Sequence, residues 1–357
     1  MTKAMAIPSE LASTARARAW RDRLALLGLC IALVLAMVIS LSLGSMPIPV
    51  SKVMGALLES IGLSTGELTS IEKGTILMVR LPRVLLGALV GAGLAVSGAA
   101  MQGLIRNGLA DPGLVGVSSG AALGAASAIV VFGTEFSALG LWAVPIAGTL
   151  GAGGCTYIVY RLGTRGGTTD PATLLLAGIA INALTFGLVG ILIDVADDTE
   201  LRTLMGWTLG AVSGATWTTV LTCTVALSIG LPLALRLSAP LNALILGRRE
   251  AALLGIDVSA TARQVIITSA ILVGVGTSFA GVIGFVGLVI PHLVRLGLGP
   301  EHKTLLPASA VSGALLVVLA DLTARLAIAP RELPLGVLTS LLGAPFFLWL
   351  LRRREYV

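Results

Sequence analysis

Few residues in this chain have the types and spacing that chemistry requires. His292 and His302 are its two histidines, too few for a histidine-ligated metal centre. Cys30, Cys155 and Cys223 each fall alone inside an apolar run with no metal-ligand spacing, so they read as small buried hydrophobes. Nothing supports Ser-His-Asp chemistry. No Gly-x-x-x-x-Gly-Lys-Ser/Thr run occurs, so the chain has no loop to cradle the phosphates of ATP. No carboxylate sits in the middle of an apolar run, and Asp194 and Asp321 lie near run ends. That argues against a proton- or sodium-coupled carrier, which ordinarily holds an ionisable group within the membrane.

What remains is docking chemistry. Residues 240–258 lie between two long apolar runs and combine Arg248, Arg249 and Glu250 with Leu244, Leu246, Leu253 and Leu254. Pro240, Gly247 and Gly255 divide the stretch into two short amphipathic helices. Such a pair makes a firm surface on which another protein can push. A pair of interfacial helices lying on lipid headgroups is the other reading.

The elements that position this stretch are membrane spans. Hydrophobic residues are 56% of 357 and charged residues 12%, against about 25% charged in a soluble domain. Apolar runs long enough to cross a hydrocarbon core of about 30 Å recur along the chain. This is an all-α polytopic membrane protein, and its 44 glycines suit close helix packing. The basic pI is a matter of orientation in the membrane and not of nucleic-acid binding.

The pattern predicts ten spans, at about 24–43, 81–104, 114–132, 138–162, 172–194, 216–236, 260–282, 284–298, 305–328 and 335–351. The first is a retained helix, too long for the apolar core of a signal peptide. Residues 44–78 read as a mixed loop with a short surface helix, and 196–206 as a polar segment leading into another. Residues 1–23 form an N-terminal segment and 352–357 a tail. Ten spans put both termini on one side. Seventeen of the 24 basic residues then share that side: Lys3, Arg16, Arg18, Arg21, Arg23, Arg106, Arg161, Arg165, Arg236, Arg248, Arg249, Arg263, Arg295, Lys303 and Arg352–Arg354. The positive-inside rule places that side, with residues 240–258, in the cytoplasm. Seven basic residues stay outside, among them Arg80, Arg83 and Arg325, and orientation does not explain them.

Several long, ordered motifs then carry a resemblance. They are Arg80-Leu-Pro-Arg83, Ser97-Gly-Ala-Ala-Met-Gln102 and Asn107-Gly-Leu-Ala-Asp-Pro-Gly-Leu-Val-Gly-Val-Ser118. They continue with Leu246-Gly247 through Val258, Gly281-Val-Ile-Gly-Phe-Val-Gly-Leu-Val-Ile-Pro-His292, Ala320-Asp321 with Arg325, and Glu332-Leu-Pro-Leu-Gly336 to Pro345. Nearly everything after residue 76 resembles the permease subunits of type II ATP-binding-cassette importers, the family that takes up vitamin B12, haem and ferric siderophores.

The resemblance implies a homodimer with its pathway on the two-fold axis. Two ATPase subunits sit below it and a periplasmic binding protein above, in a bacterial inner membrane. The permease itself is then not an enzyme and binds no cofactor, while ATP and Mg belong to the ATPase subunit. Gly247, Arg248, Arg249, Glu250, Ala251, Leu254 and Gly255 become the ATPase-coupling surface. Arg80, Arg83 and Arg325 become outer-rim residues that pair with glutamates of the binding protein; without the family they would read as headgroup contacts or helix ends.

Leu109 matches a cytoplasmic gate position. Gly108 stands where the family commonly has proline, and the second gate falls on Pro171 and Ala172 where cobalamin permeases have Thr-Ser. The pathway offers Asn182, Thr185, Met205 and Trp207, with few charges, although Trp207 also suits an interfacial aromatic belt. That lining suits a large, flat, partly apolar ligand. It ranks haem first, then a ferric siderophore, then cobalamin. A stand-alone channel or carrier is the reading from another class.

Overall fold

The computed structural model describes residues 9–63, 68–131, 140–329 and 331–352. The ends of the third and fourth expected spans at 132 and 138–139, the turn residue Pro330 and most of the C-terminal tail lie outside the described residues. The elements in order are α1 (Ser9–Ser42), α2 (Val50–Ser60), α3 (Ser70–Gly74), a π-turn (Thr75–Arg80), α4 (Leu81–Ile105), a 3₁₀ turn (Pro112–Val115) and α5 (Val117–Val130). Next come α6 (Ala143–Gly163), the hairpin β1 (Thr164–Arg165) and β2 (Thr168–Thr169), α7 (Pro171–Val195), α8 (Asp198–Thr208) and α9 (Trp217–Arg236). The short pair α10 (Ser238–Leu246) and α11 (Arg248–Leu253) leads to α12 (Val258–Ala280), α13 (Val286–Leu298), α14 (His302–Leu326) and α15 (Leu335–Arg352).

Among the described residues, seven helices are long and apolar enough to cross a membrane, and three shorter apolar ones, α5, α13 and α15, complete the expected ten. The fold is the all-α polytopic one that the apolar runs predict.

Three elements differ from expectation. The second span starts near residue 70 and not at 81. Thr69 and Glu72 close a capping box at its start. Pro82 would ordinarily begin a helix, but here the wider π-turn before it absorbs its missing N–H, and the helix runs through. The basic N-terminal segment is helical from Ser9, continuous with the first span. Cys30 is exposed, because α1 packs on the periphery, whereas Cys155 and Cys223 are buried as expected.

The core forms around α4. Its small residues let neighbouring backbones come close. A Cβ on Gly91 would strike the carbonyl of Gly313 in α14, and one on Gly98 would strike that of Gly287 in α13. Small residues at both sides of a crossing permit such contact in a membrane.

The helix ends define two faces. At the α2 end, Ala211 N donates to Ala280 O (2.8 Å) and Leu335 N to Gly210 O (2.9 Å), tying three inter-helix loops together. At the α11 end lie α10, α11, the hairpin and the loop 106–116.

Candidate coupling and translocation site

The stretch 240–258 folds as two short helices, as its glycines predict. Gly247 separates them at φ +133°, where an added Cβ would run into the Glu250 carboxylate, and Gly255 ends α11 at φ +84°. Pro240 does not mark a break. It sits in the first turn of α10, where proline is tolerated. Asp257 then caps α12, accepting from Ala260 N at 2.8 Å.

One face of the pair is buried through Leu241, Leu244 and Ala251. The other presents Leu246, Leu253 (82% exposed) and Leu254 (63% exposed) beside exposed Arg249 and Glu250. Ala251 is therefore a correction. At 0% exposure it belongs to the core and touches nothing outside the protein. Its small side chain lets α11 lie flat on the bundle.

Arg248 joins this pair to the next element. Its guanidinium donates to the Thr169 carbonyl at the end of the hairpin. Asp170 follows as the N-cap of α7, accepting from Thr173 N (2.8 Å) and Thr173 Oγ1 (2.7 Å). The Thr173 backbone and hydroxyl, with Arg248 nearby, hold the Asp170 carboxyl below the usual carboxylate range. Pro171 occupies the first helical position, where its missing N–H costs nothing, and Ala172 is exposed beside it.

The loop 106–116 meets α7 a little further along. Arg106 ends α4 in the left-handed conformation, φ +59°. Asn107 Oδ1 accepts from Leu109 N (2.9 Å), and Asp111 Oδ1 from Gly113 N (2.7 Å), so the loop carries its own turns. Leu109 is half-buried. Asn182 Nδ2 donates to Gly113 O (3.1 Å) while its Oδ1 accepts from Ser119 Oγ, clamping the loop to α7. Asn182 thus holds the wall together.

Thr185 likewise bonds back to its own helix. Met205 is exposed, while Trp207 is half-buried against Leu204, Ala126 and Ile129 towards the α2 end. Leu109 and the Pro171–Ala172 start of α7 lie at the α11 end, so the expected pathway residues mark both ends of the bundle. The exposed face of α7 runs between them through Leu176, Ile179 and Phe186.

At the α2 end, none of the three expected rim arginines is free. Arg80 is 5% exposed, and it donates to the carbonyls of Leu41 (2.7 Å), Ser42 (3.1 Å) and Met46. Arg83 pairs with Asp321 (2.8 Å) and Glu332 (2.9 Å). Arg325 pairs with Asp321 at 3.2 Å and donates to Ser40. A buried guanidinium needs such partners, because an unpaired charge out of water is costly. Of the other four cations expected on that side, Lys52 pairs with Glu72 and Lys73 with Glu59. Arg202 and Arg331 are exposed, with no ion pair among the described residues.

Sequence reasoning missed the hairpin, although Gly166-Gly167 between Arg165 and Thr168 is a tight-turn signal. It also missed the bond between His302 and Asn242 of α10, which no local pattern announces.

Comparison with known proteins fits this architecture. The model of the FecCD transport family matches residues 32–353. The hemin transport system permease protein HmuU of Yersinia pestis is 48% identical over 283 residues, covering 78% of this chain and 84% of the relative. The cobalamin import system permease protein BtuC of Halobacterium salinarum is 43% identical over 277 residues, 78% of this chain and 73% of its own length. A solved structure described as an inward-facing metal-chelate type ABC transporter superposes with a TM-score of 0.79 at 33% identity, covering 92% of this chain and 98% of its own.

Proposed function

The chain belongs to the FecCD transport family, and from that premise we propose that it is the permease of an ATP-driven importer whose cargo is haem. The observation that carries the cargo is the 48% identity to a hemin permease. The fold supports it. The exposed face of α7 is apolar, and both histidines lie beside the cavity at the α11 end, so no histidine grips iron along most of the path. A weakly interacting wall lets a flat, partly apolar ligand leave as readily as it enters.

In this reading a second copy of the chain faces α7 and closes the pathway. Two ATPase subunits bind the exposed leucines of α10–α11 and hold the ATP and Mg. A periplasmic binding protein docks at the α2 end. There Arg80, Arg83 and Arg325 shape the face and Arg83 holds Glu332 on it, while Arg202 and Arg331 carry the free positive charge. The membrane is the bacterial inner membrane with both termini in the cytoplasm. Cobalamin is the second reading, favoured by the 43% identity to a cobalamin permease. Proteoliposomes of permease and ATPase, supplied with binding protein and ATP, separate the two. Haem accumulation supports the first. Uptake of cobalamin or a ferric siderophore without haem overturns it.

A further inference from the structure

A cavity of about 720 Å³ opens at the α11 end between the end of α4, the loop at 106–109, α10 and the facing ends of α13 and α14. We propose that it is an exit site that takes the carboxylates of the imported chelate. The proposal rests on the haem reading, because haem carries two propionate groups.

The size lies within the range of small-molecule sites, roughly 300–1,000 Å³, and the lining has their composition of apolar wall and few convergent polar groups. Leu109, Ile245 and Leu296 supply the wall, and Gln102, Arg106, Asn107, His292, Arg295 and His302 supply the polar groups. No carboxylate lines the cavity, so its field is positive.

Three imidazole nitrogens there have no partner. Among the described residues, both ring nitrogens of His292 and Nε2 of His302 are buried and unbonded, the last packed against Gly103. Buried polar atoms in a finished core are nearly always satisfied, so a set of three calls for a reason. The His302 ring is held in place. His302 Nδ1 lies 2.9 Å from Asn242 Oδ1, which also accepts from the His302 backbone N–H. Arg295 is oriented by Gln102 Oε1 at 3.0 Å, and Gln102 in turn donates to Leu288 O. That single bond leaves further guanidinium N–H groups on Arg295 for an oxyanion.

Gly108 keeps the approach open. A Cβ there would fall 3.2 Å from Arg295 Nη1 and 3.5 Å from His292 Nδ1. The missing side chain leaves that space in front of both groups, one residue from Leu109. A chelate passing the loop would meet them first.

The test is a titration of the permease–ATPase complex in lipid nanodiscs. The probes are iron protoporphyrin IX and its dimethyl ester, which lacks free carboxylates, with empty nanodiscs subtracted. The free acid should bind about tenfold more tightly than the ester. Arg106→Gln, at an exposed position that folding tolerates, should remove most of that difference and leave ester binding unchanged. His292→Gln should act the same way. Equal affinities for acid and ester, parallel losses for both in the variants, or no binding to the assembled complex would overturn the site. Wild-type haem uptake alongside any of those results leaves the cargo reading standing, whereas no haem uptake by wild type ends both.

Discussion

The two ends of this bundle treat charge in opposite ways. At the α2 end, Arg80, Arg83, Arg325, Asp321 and Glu332 close one another's valences or bond to backbone carbonyls. At the α11 end, leucines and charges stand exposed on α10–α11, and three imidazole nitrogens lie unpartnered beside a cavity. The first network holds the helices in register. The second end is chemically unfinished, as a surface is where other molecules complete it. What separates the two ends is the arginines nearest the core: at the α2 end Arg80, Arg83 and Arg325 are all partnered, and only Arg202 and Arg331 at its edge are without an ion pair among the described residues.

The comparison is broken most severely at Asp321. Its carboxylate serves both Arg83 and Arg325. Asp321→Ala would remove one partner from each of two half-buried guanidinium groups, leaving Arg83 with Glu332 and Arg325 with Ser40, so the loss should approach but not exceed the roughly 3–5 kcal/mol of breaking a fully buried pair. Thermal unfolding of the purified permease should show a loss of that order. An unchanged midpoint would mean that the α2 end is not held by this network.

Arg248 sharpens the comparison from the other end. It is the side-chain link between α11 and the hairpin that precedes α7. Arg248→Ala should cost about 1.5–3 kcal/mol locally, the range of a hydrogen bond involving a charged group. Global stability should move little, while transport per ATP hydrolysed should fall. Equal loss of ATPase activity and transport would instead place Arg248 in docking alone.

The smallest expected effect concerns pH. The folded state holds the Asp170 carboxyl below the usual range. Its contribution is therefore complete above the unfolded carboxylate pKa and is lost as pH falls through the folded value. Hydrogen exchange at the Thr173 amide should quicken across that acidic window, and Asp170→Asn, which still caps but does not titrate, should abolish the dependence. Flat exchange in wild type would show that the cap does not depend on the charge.

Much of this was legible in the sequence because its signals are local. Apolar runs mark the spans, and Gly247 and Gly255 mark the coupling helices through conformations that other residues avoid. The capping residues Thr69 and Glu72 were also readable, and would have moved the second span back to residue 70. The pairing of Arg83 with Asp321 was not, because the two are 238 positions apart and only helix packing joins them. For the same reason exposed arginines were expected where the structure has buried ones. Ala251 was misplaced because a helix of six residues is too short for its periodicity to tell the inward face from the outward one.

The central claim is that force from ATP enters through the exposed leucines of α10–α11. Leu253→Glu with Leu254→Glu tests it most directly, because both side chains are exposed and surface changes usually shift stability by only about 0.5 kcal/mol. The permease should unfold at its normal temperature, yet fail to retain the ATPase subunits on co-purification and lose ATP-driven uptake. A double variant that still purifies as the whole complex and transports at the wild-type rate would contradict the account.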